Sequence, residues 1–222
     1  MTETNLNLFR SLFLQAVSQV GAAYMRTIYG EVDLILQEVQ REAHRQHIEH
    51  NRIGDDLVKN GERIFCYELY HQLRTLLEQY PQAFEGVYLQ GELRKYQVLP
   101  MLQMMGLEAL SGNFIPDFLL HSPGDSSEHP YVIEVKTDRF LSYGQLAADI
   151  SKLVEFIDRY GYQRGMFLSV NTSADFLRLT VTDCQLLRQI PHIAQYAPQI
   201  DIVGRHDENS PVTCFNLAEI IH

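Results

Sequence analysis

The stretch from Ser142 to Gly161 constrains this chain more than any other. Leu146, Ile150, Leu153, Val154 and Ile157 recur at threes and fours, which puts them on one face of a helix. Ser142 is suited to cap its start and Gly161 to stop it. On either side lies a short apolar run, "YVIEVK" before it and "GMFLSV" after it. A one-faced helix between two such runs reads as a crossover connecting neighbouring strands, with "GMFLSV" a buried, parallel strand.

Other elements follow on both sides. "GVYLQGELR" alternates Val87, Leu89 and Leu93 against Tyr88, Gln90, Glu92 and Arg94, as a half-buried strand does. "FIPDFLLH" and "YVIEVK" are separated by the turn-rich "HSPGDSSEHP", so they are expected to form a hairpin, and the sheet to be mostly antiparallel here. A helix is expected over about residues 62–79, with Phe65, Leu69, Gln72, Leu73, Leu76 and Leu77 as its inward stripe and Pro81 beyond its end. Earlier, Leu6, Phe9, Phe13, Ala16 and Val20, and then Val32, Ile35, Leu36, Val39 and Ala43, keep helical spacing on either side of Gly30. They read as an antiparallel helical pair, linked through the polar "HNRIGDDLVKNGE" to the rest. The expected division is a helical extension over 1–60 and a main domain over 61–222, whose tail adds a helix at about 182–189, a strand at "QIDIVG" and a strand or helix at "VTCFNLAEII".

At 222 residues and 45% hydrophobic content the chain can bury one sizeable core. A formal charge of −10 argues against a protein that coats nucleic acid through a broad positive surface, but leaves room for a local groove or a metal ion. Cys66, Cys184 and Cys214 are odd in number and far apart, which suits packed thiols in a reducing compartment rather than a disulfide framework or zinc motif. No segment approaches the roughly 18 apolar residues of a spanning helix, so no membrane partner and a cytoplasmic location are expected.

The chemistry concentrates in "PDFLLHSPGDSSEHPYVIEVK". Side chains alternate along a strand, so Glu134 and Lys136 share one face while Ile133 and Val135 take the other, apolar one. A hairpin brings Asp117 to the same region as Glu134. Two carboxylates and an ammonium are costly to bury for structure alone. A hard divalent cation changes that balance, because Mg²⁺ binds through one or two carboxylates, waters and substrate phosphate. Glu68, three residues after Phe65 and four before Gln72, lies at the edge of the helix's buried face and is a further carboxylate candidate.

The order helix Glu, strand Asp, strand Glu-x-Lys, crossover helix, strand resembles the PD-(D/E)XK nuclease superfamily. The matching residues are Pro116-Asp117, sixteen intervening residues, then Glu134-Val135-Lys136. The resemblance spans about residues 62–171 and implies an α/β restriction-endonuclease-like fold, a mixed sheet flanked by helices, here with the N-terminal helical extension. It also implies a metal-dependent nuclease hydrolysing phosphodiester bonds, with DNA favoured. Asp117, Glu134 and the Val135 carbonyl would hold Mg²⁺, with Mn²⁺ able to substitute. Glu68 would assist directly or through water, and Lys136 would orient or deprotonate the attacking water and stabilise charge on the phosphate. Gln145 is held as a weak substrate or water contact; some superfamily members follow a Gln here with Tyr four residues later, where this chain has Asp149.

Blander readings stand beside these. Asp117, Glu134 and Lys136 can be an ion-pair cluster on a half-exposed sheet, Glu68 a solvated carboxylate and Gln145 an ordinary polar residue. His44, His47 and His50 drift around a helix and read as a solvated face, His71 as a packed or surface histidine, and Tyr67 and Tyr70 as residues of the core or its rim. The alternatives in function are a catalytically silent nuclease-like binding or assembly module, or an unrelated α/β interaction protein. The N-terminal stripes are expected to be buried on the core or across a two-fold homodimer.

Overall fold

The computed structural model describes residues 1–25, 51–91, 110–112, 114–123, 128–138 and 141–221, of which 51–60 by backbone alone. Its centre is a six-stranded sheet in sequence order: β1 (Tyr88–Gly91), β2 (Phe118–His121), β3 (Tyr131–Lys136), β4 (Arg164–Val170), β5 (Ile200–Arg205) and β6 (Thr213–Asn216). The β1–β2, β2–β3 and β5–β6 pairs are antiparallel, while β3–β4 and β4–β5 are parallel. This is a mixed α/β sheet.

Helices cover both faces. α1 (Glu3–Gln19), the short α2 (Ala22–Met25) and α3 (Asn51–Leu77) pack on one side. α4 (Tyr143–Tyr160), α5 (Ala174–Asp183) and the one-turn α6 (Ile193–Tyr196) lie on the other. The alternation of the strands divides the core accordingly. Phe118, Leu120, Ile133, Val135, Met166 and Val203 join the α1–α3 core, whereas Leu119, Val132, Phe167 and Ile202 join the α4 core.

α4 forms as its sequence dictates. The Ser142 hydroxyl accepts from the Gln145 backbone N–H, and the Gln145 side chain returns to the Ser142 N–H at 3.0 Å, completing a capping box. Gly161 ends the helix in the left-handed region at φ 68°. The helix crosses from β3 to β4, which run parallel.

α1 carries the expected stripe, with Leu6, Phe9, Phe13, Ala16 and Val20 all buried. It packs on the sheet itself. Phe9 lies 4.5 Å from the Tyr131 ring, the Tyr131 hydroxyl donates to the Leu6 carbonyl at 2.9 Å, and Arg10 meets Asp201 at 2.6 Å. The buried Arg205 clamps its end, donating to the Val17 and Val20 carbonyls at 2.7 and 2.8 Å. α1 is therefore one layer of the main core. The second expected helix, Val32 to Ala43, lies outside the described residues, as do His44, His47 and His50.

Two boundaries differ from expectation. α3 is helical throughout its described range from Asn51, so most of the polar link "HNRIGDDLVKNGE" is helical and the division at 60/61 falls inside a continuous helix; no proline interrupts it, and the packed half from Phe65 onward sustains the turns before it. In the tail, the α-helix runs over Ala174–Asp183 behind a Ser173 cap, and only a 3₁₀ turn occupies Gln185–Gln189. "VTCFNLAEII" holds both β6 and a 3₁₀ turn at Leu217–Glu219.

Candidate functional site

The β2–β3 register pairs Phe118 with Ile133, so the next step outward sets Asp117 across from Glu134. Asp117 sits at the bend just before β2. Its Oδ2 accepts from the Val135 N–H at 2.7 Å, which continues the link between the two strands after the ladder ends.

Glu134 projects from β3 on the same side as Val132, toward α4. This face is not an open ionic surface. Val132 is fully buried under α4, and the polar residues occupy only the C-terminal end of the strand, so the expected contrast of one apolar and one ionic face holds over part of β3 alone. Glu134 is 2% exposed.

α4 contributes two groups. Asp149 lies on its inward stripe between Leu146 and Leu153 and is also 2% exposed. Lys152, one turn further on, bridges the two buried acids, with Nζ 2.6 Å from Asp149 Oδ1 and 3.2 Å from Glu134 Oε2. Lys136 Nζ lies 3.4 Å from Asp149 Oδ2, 3.4 Å from Glu62 Oε2 on α3, and 3.2 Å from its own strand's Val135 carbonyl.

The helix carboxylate at the cluster is thus Glu62. Glu68, expected there, is half-buried six residues later, and its Oε1 accepts from Gln72 Nε2 at 2.6 Å on the same helix. Gln145 is the capping residue of α4, and its Nε2 donates to Asp138 Oδ2 at 3.0 Å. It fixes the loop after β3. That loop is further held by Asn171 Nδ2 on the Thr137 carbonyl at 3.0 Å and Thr172 Oγ1 on the Asp138 carbonyl at 3.2 Å. The cluster therefore lies at the carboxyl ends of β3 and β4, where open α/β sheets commonly bind ligands. His71 and Tyr67 are exposed, and the Tyr70 hydroxyl donates to the Leu89 carbonyl.

The charges do not balance. Glu62, Asp117, Glu134 and Asp149 face two ammoniums, Lys136 and Lys152. Burial pushes the Glu62 carboxyl up to about 7, with Lys136 opposing and Asp117 adding to the rise. Burial likewise moves Asp117 up to about 6, against the Val135 N–H and Lys136. Glu134 stands well above the usual carboxylate range, through burial first and then repulsion from Asp117. Burial disfavours the Lys136 charge, yet Asp149, Glu62, Asp117 and Glu134 together outweigh it and keep the amine protonated.

Among the described residues two buried acid oxygens, Glu134 Oε1 and Asp149 Oδ2, have no hydrogen-bond partner, although Asp149 Oδ2 lies 3.4 Å from the Lys136 ammonium. An excess of buried acid with such oxygens suits a cation, and Glu134 with Asp117 across the hairpin supplies the hard ligands that Mg²⁺ prefers. Among the described residues no group of three or more His, Cys, Asp or Glu side chains is gathered as a ready-made cage. Mg²⁺ commonly needs only one or two protein carboxylates.

Sequence reading missed Glu62, Asp149 and Lys152 as members of the cluster. For Asp149 a signal was present: a carboxylate three residues after Leu146 and four before Leu153 must face inward. No described helix is long and apolar enough to cross a membrane. No protein-family model, curated protein or solved structure matches the chain.

Proposed function

We propose that this chain is a metal-dependent phosphodiesterase of the PD-(D/E)XK type, with a restriction-endonuclease-like core, acting on nucleic acid and on DNA by preference. The observation that carries this reading is the placement of Asp117 opposite Glu134 at the end of the β2–β3 hairpin, with Glu134 Oε1 buried and without a hydrogen-bond partner among the described residues. The order of α3, three antiparallel strands, crossover α4 and parallel β4 supports it.

Asp117, Glu134 and the Val135 carbonyl would hold Mg²⁺ or Mn²⁺, with Glu62 taking the place first assigned to Glu68. When bound, such an ion supplies polarisation of the phosphodiester and acidifies water for attack. Lys136 stays protonated among its carboxylates, so its part is to stabilise negative charge developing on the phosphate rather than to accept a proton. Burial raises the Glu62 carboxyl to about 7 in the metal-free protein; a divalent ion beside it would favour the carboxylate, which could then accept a hydrogen bond from water at the site. Gln145 positions the loop after β3 through Asp138.

A second reading has one observation in its favour: Lys136 and Lys152 already contact the acids at 2.6 to 3.4 Å, as in a silent ion-pair cluster. Incubation of the purified protein with supercoiled, linear, single-stranded and branched DNA and with RNA, in Mg²⁺, Mn²⁺ or EDTA, separates the two. Metal-dependent cleavage of any of these supports the nuclease; intact substrates throughout support the silent module.

A further inference from the structure

We infer that Lys152 is a built-in counter-ion occupying a cation position between Glu134 and Asp149, and that its displacement by a divalent ion makes Asp149 a ligand. The inference rests on the metal-dependent reading above and adds to it a ligand and a competitor that the PD…EVK pattern does not contain.

The geometry singles out this ammonium. Lys152 Nζ touches one oxygen of each acid, Glu134 Oε2 and Asp149 Oδ1; among the described residues the other Glu134 oxygen, Oε1, is buried without a hydrogen-bond partner, and Asp149 Oδ2 meets only the Lys136 ammonium, at 3.4 Å. One ammonium shared between these two acids leaves Glu134 Oε1 without a donor, whereas a divalent ion can be shared by both carboxylates. The three side chains also differ in freedom. Those of Glu134 and Asp149 are 2% and 3% exposed and are fixed by β3 and by the packed face of α4. The Lys152 side chain is 25% exposed on a flexible stem, so its ammonium can swing to water while the acids stay in place. Lys136 is less suited to leave, because Glu62, Asp149 and the Val135 carbonyl hold it together.

Removing the competitor should therefore tighten cation binding. We would measure Mn²⁺ binding to the full chain by calorimetry and by paramagnetic resonance of free Mn²⁺. Lys152→Met is expected to bind about tenfold more tightly than the parent, and the further change Asp149→Asn to cancel that gain. Lys152→Arg retains the charge and should show no gain. In the parent itself, Mn²⁺ should raise the acetylation of Lys152 several-fold, read by peptide mass spectrometry; this readout survives even if Lys152→Met does not fold. Unchanged Lys152 acetylation in a parent whose Mn²⁺ binding is lost on Asp117→Asn would overturn this inference and leave the metal-dependent reading standing. No Mn²⁺ binding by parent or Lys152→Met would overturn both.

Discussion

The Val135 N–H donates to Asp117 Oδ2 at 2.7 Å, tying the acid before β2 to the residue between Glu134 and Lys136. One hydrogen bond thus fixes the separation of the groups to which the chemistry is assigned. It also favours the Asp117 carboxylate, opposing the burial that pushes its pKa up.

Metal should stabilise the protein through this pair. An ion that binds the folded site and not the unfolded chain adds about 2.7 kcal/mol at a hundred times its Kd. For a chain of this size that is roughly 5–10 °C in Tm. Asp117→Asn should lose most of the Mg²⁺-induced shift and Glu62→Gln part of it, whereas Glu68→Gln should keep it, because Glu68 is bonded to Gln72 away from the cluster. Melting curves over a metal titration at constant ionic strength check this. A shift lost in Glu68→Gln and kept in Glu62→Gln would reverse the assignment on α3.

Without metal, the same acids make stability depend on pH. Asp117 and Glu62 rise from ordinary values of 3.8 and 4.5 to about 6 and about 7 on folding. The folded chain therefore holds protons that the unfolded chain releases, and their contribution is complete below about 4 and lost as pH rises through 6 to 7. In EDTA, Glu62→Gln should flatten the decline in Tm between pH 5 and pH 8 of the parent, within the window those values define. Identical profiles would show that Glu62 is not the group titrating there.

Much of this was legible in the sequence because it depends on periodicity. The two-residue repeat of "YVIEVK" put Glu134 and Lys136 on one side, and the turn-rich insert gave the hairpin that delivers Asp117. The apolar stripe from Leu146 to Ile157, bounded by Ser142 and Gly161, gave the crossover. What failed depended on where helices start. With α3 expected to begin at Glu62, that residue read as a helix end and Glu68 as the interior acid. The helix is already formed at Asn51, and Glu62, seven residues before Leu69, falls near the same face as Phe65 and Leu69. In the tail, the β-branched "TVT" within α5 obscured the helix that Ser173 caps. The bridge from Lys152 to Glu134 joins residues eighteen positions apart on different elements, which no local spacing reveals.

The N-terminal helix should behave as part of the core. Arg205 holds the Val17 and Val20 carbonyls and also donates to the Glu208 carbonyl at 2.9 Å, so Arg205→Met leaves three acceptors short of a donor. A loss of about 2–4 kcal/mol is expected in chemical denaturation. Hydrogen exchange should show α1 amides losing protection before those of β4. If stability and α1 protection both stayed at parental values, α1 would not depend on this clamp.

The central claim is tested most directly by Mg²⁺-dependent nucleic-acid cleavage by the parent and Asp117→Asn, prepared identically and compared under single-turnover conditions. The substrate would be whichever form the parent cuts. The expected result is a rate in Mg²⁺ that EDTA abolishes and that falls by roughly a hundredfold or more in a folded Asp117→Asn variant. Equal rates for the two proteins, or no cleavage of any substrate by the parent, would contradict a nuclease built on Asp117 and Glu134.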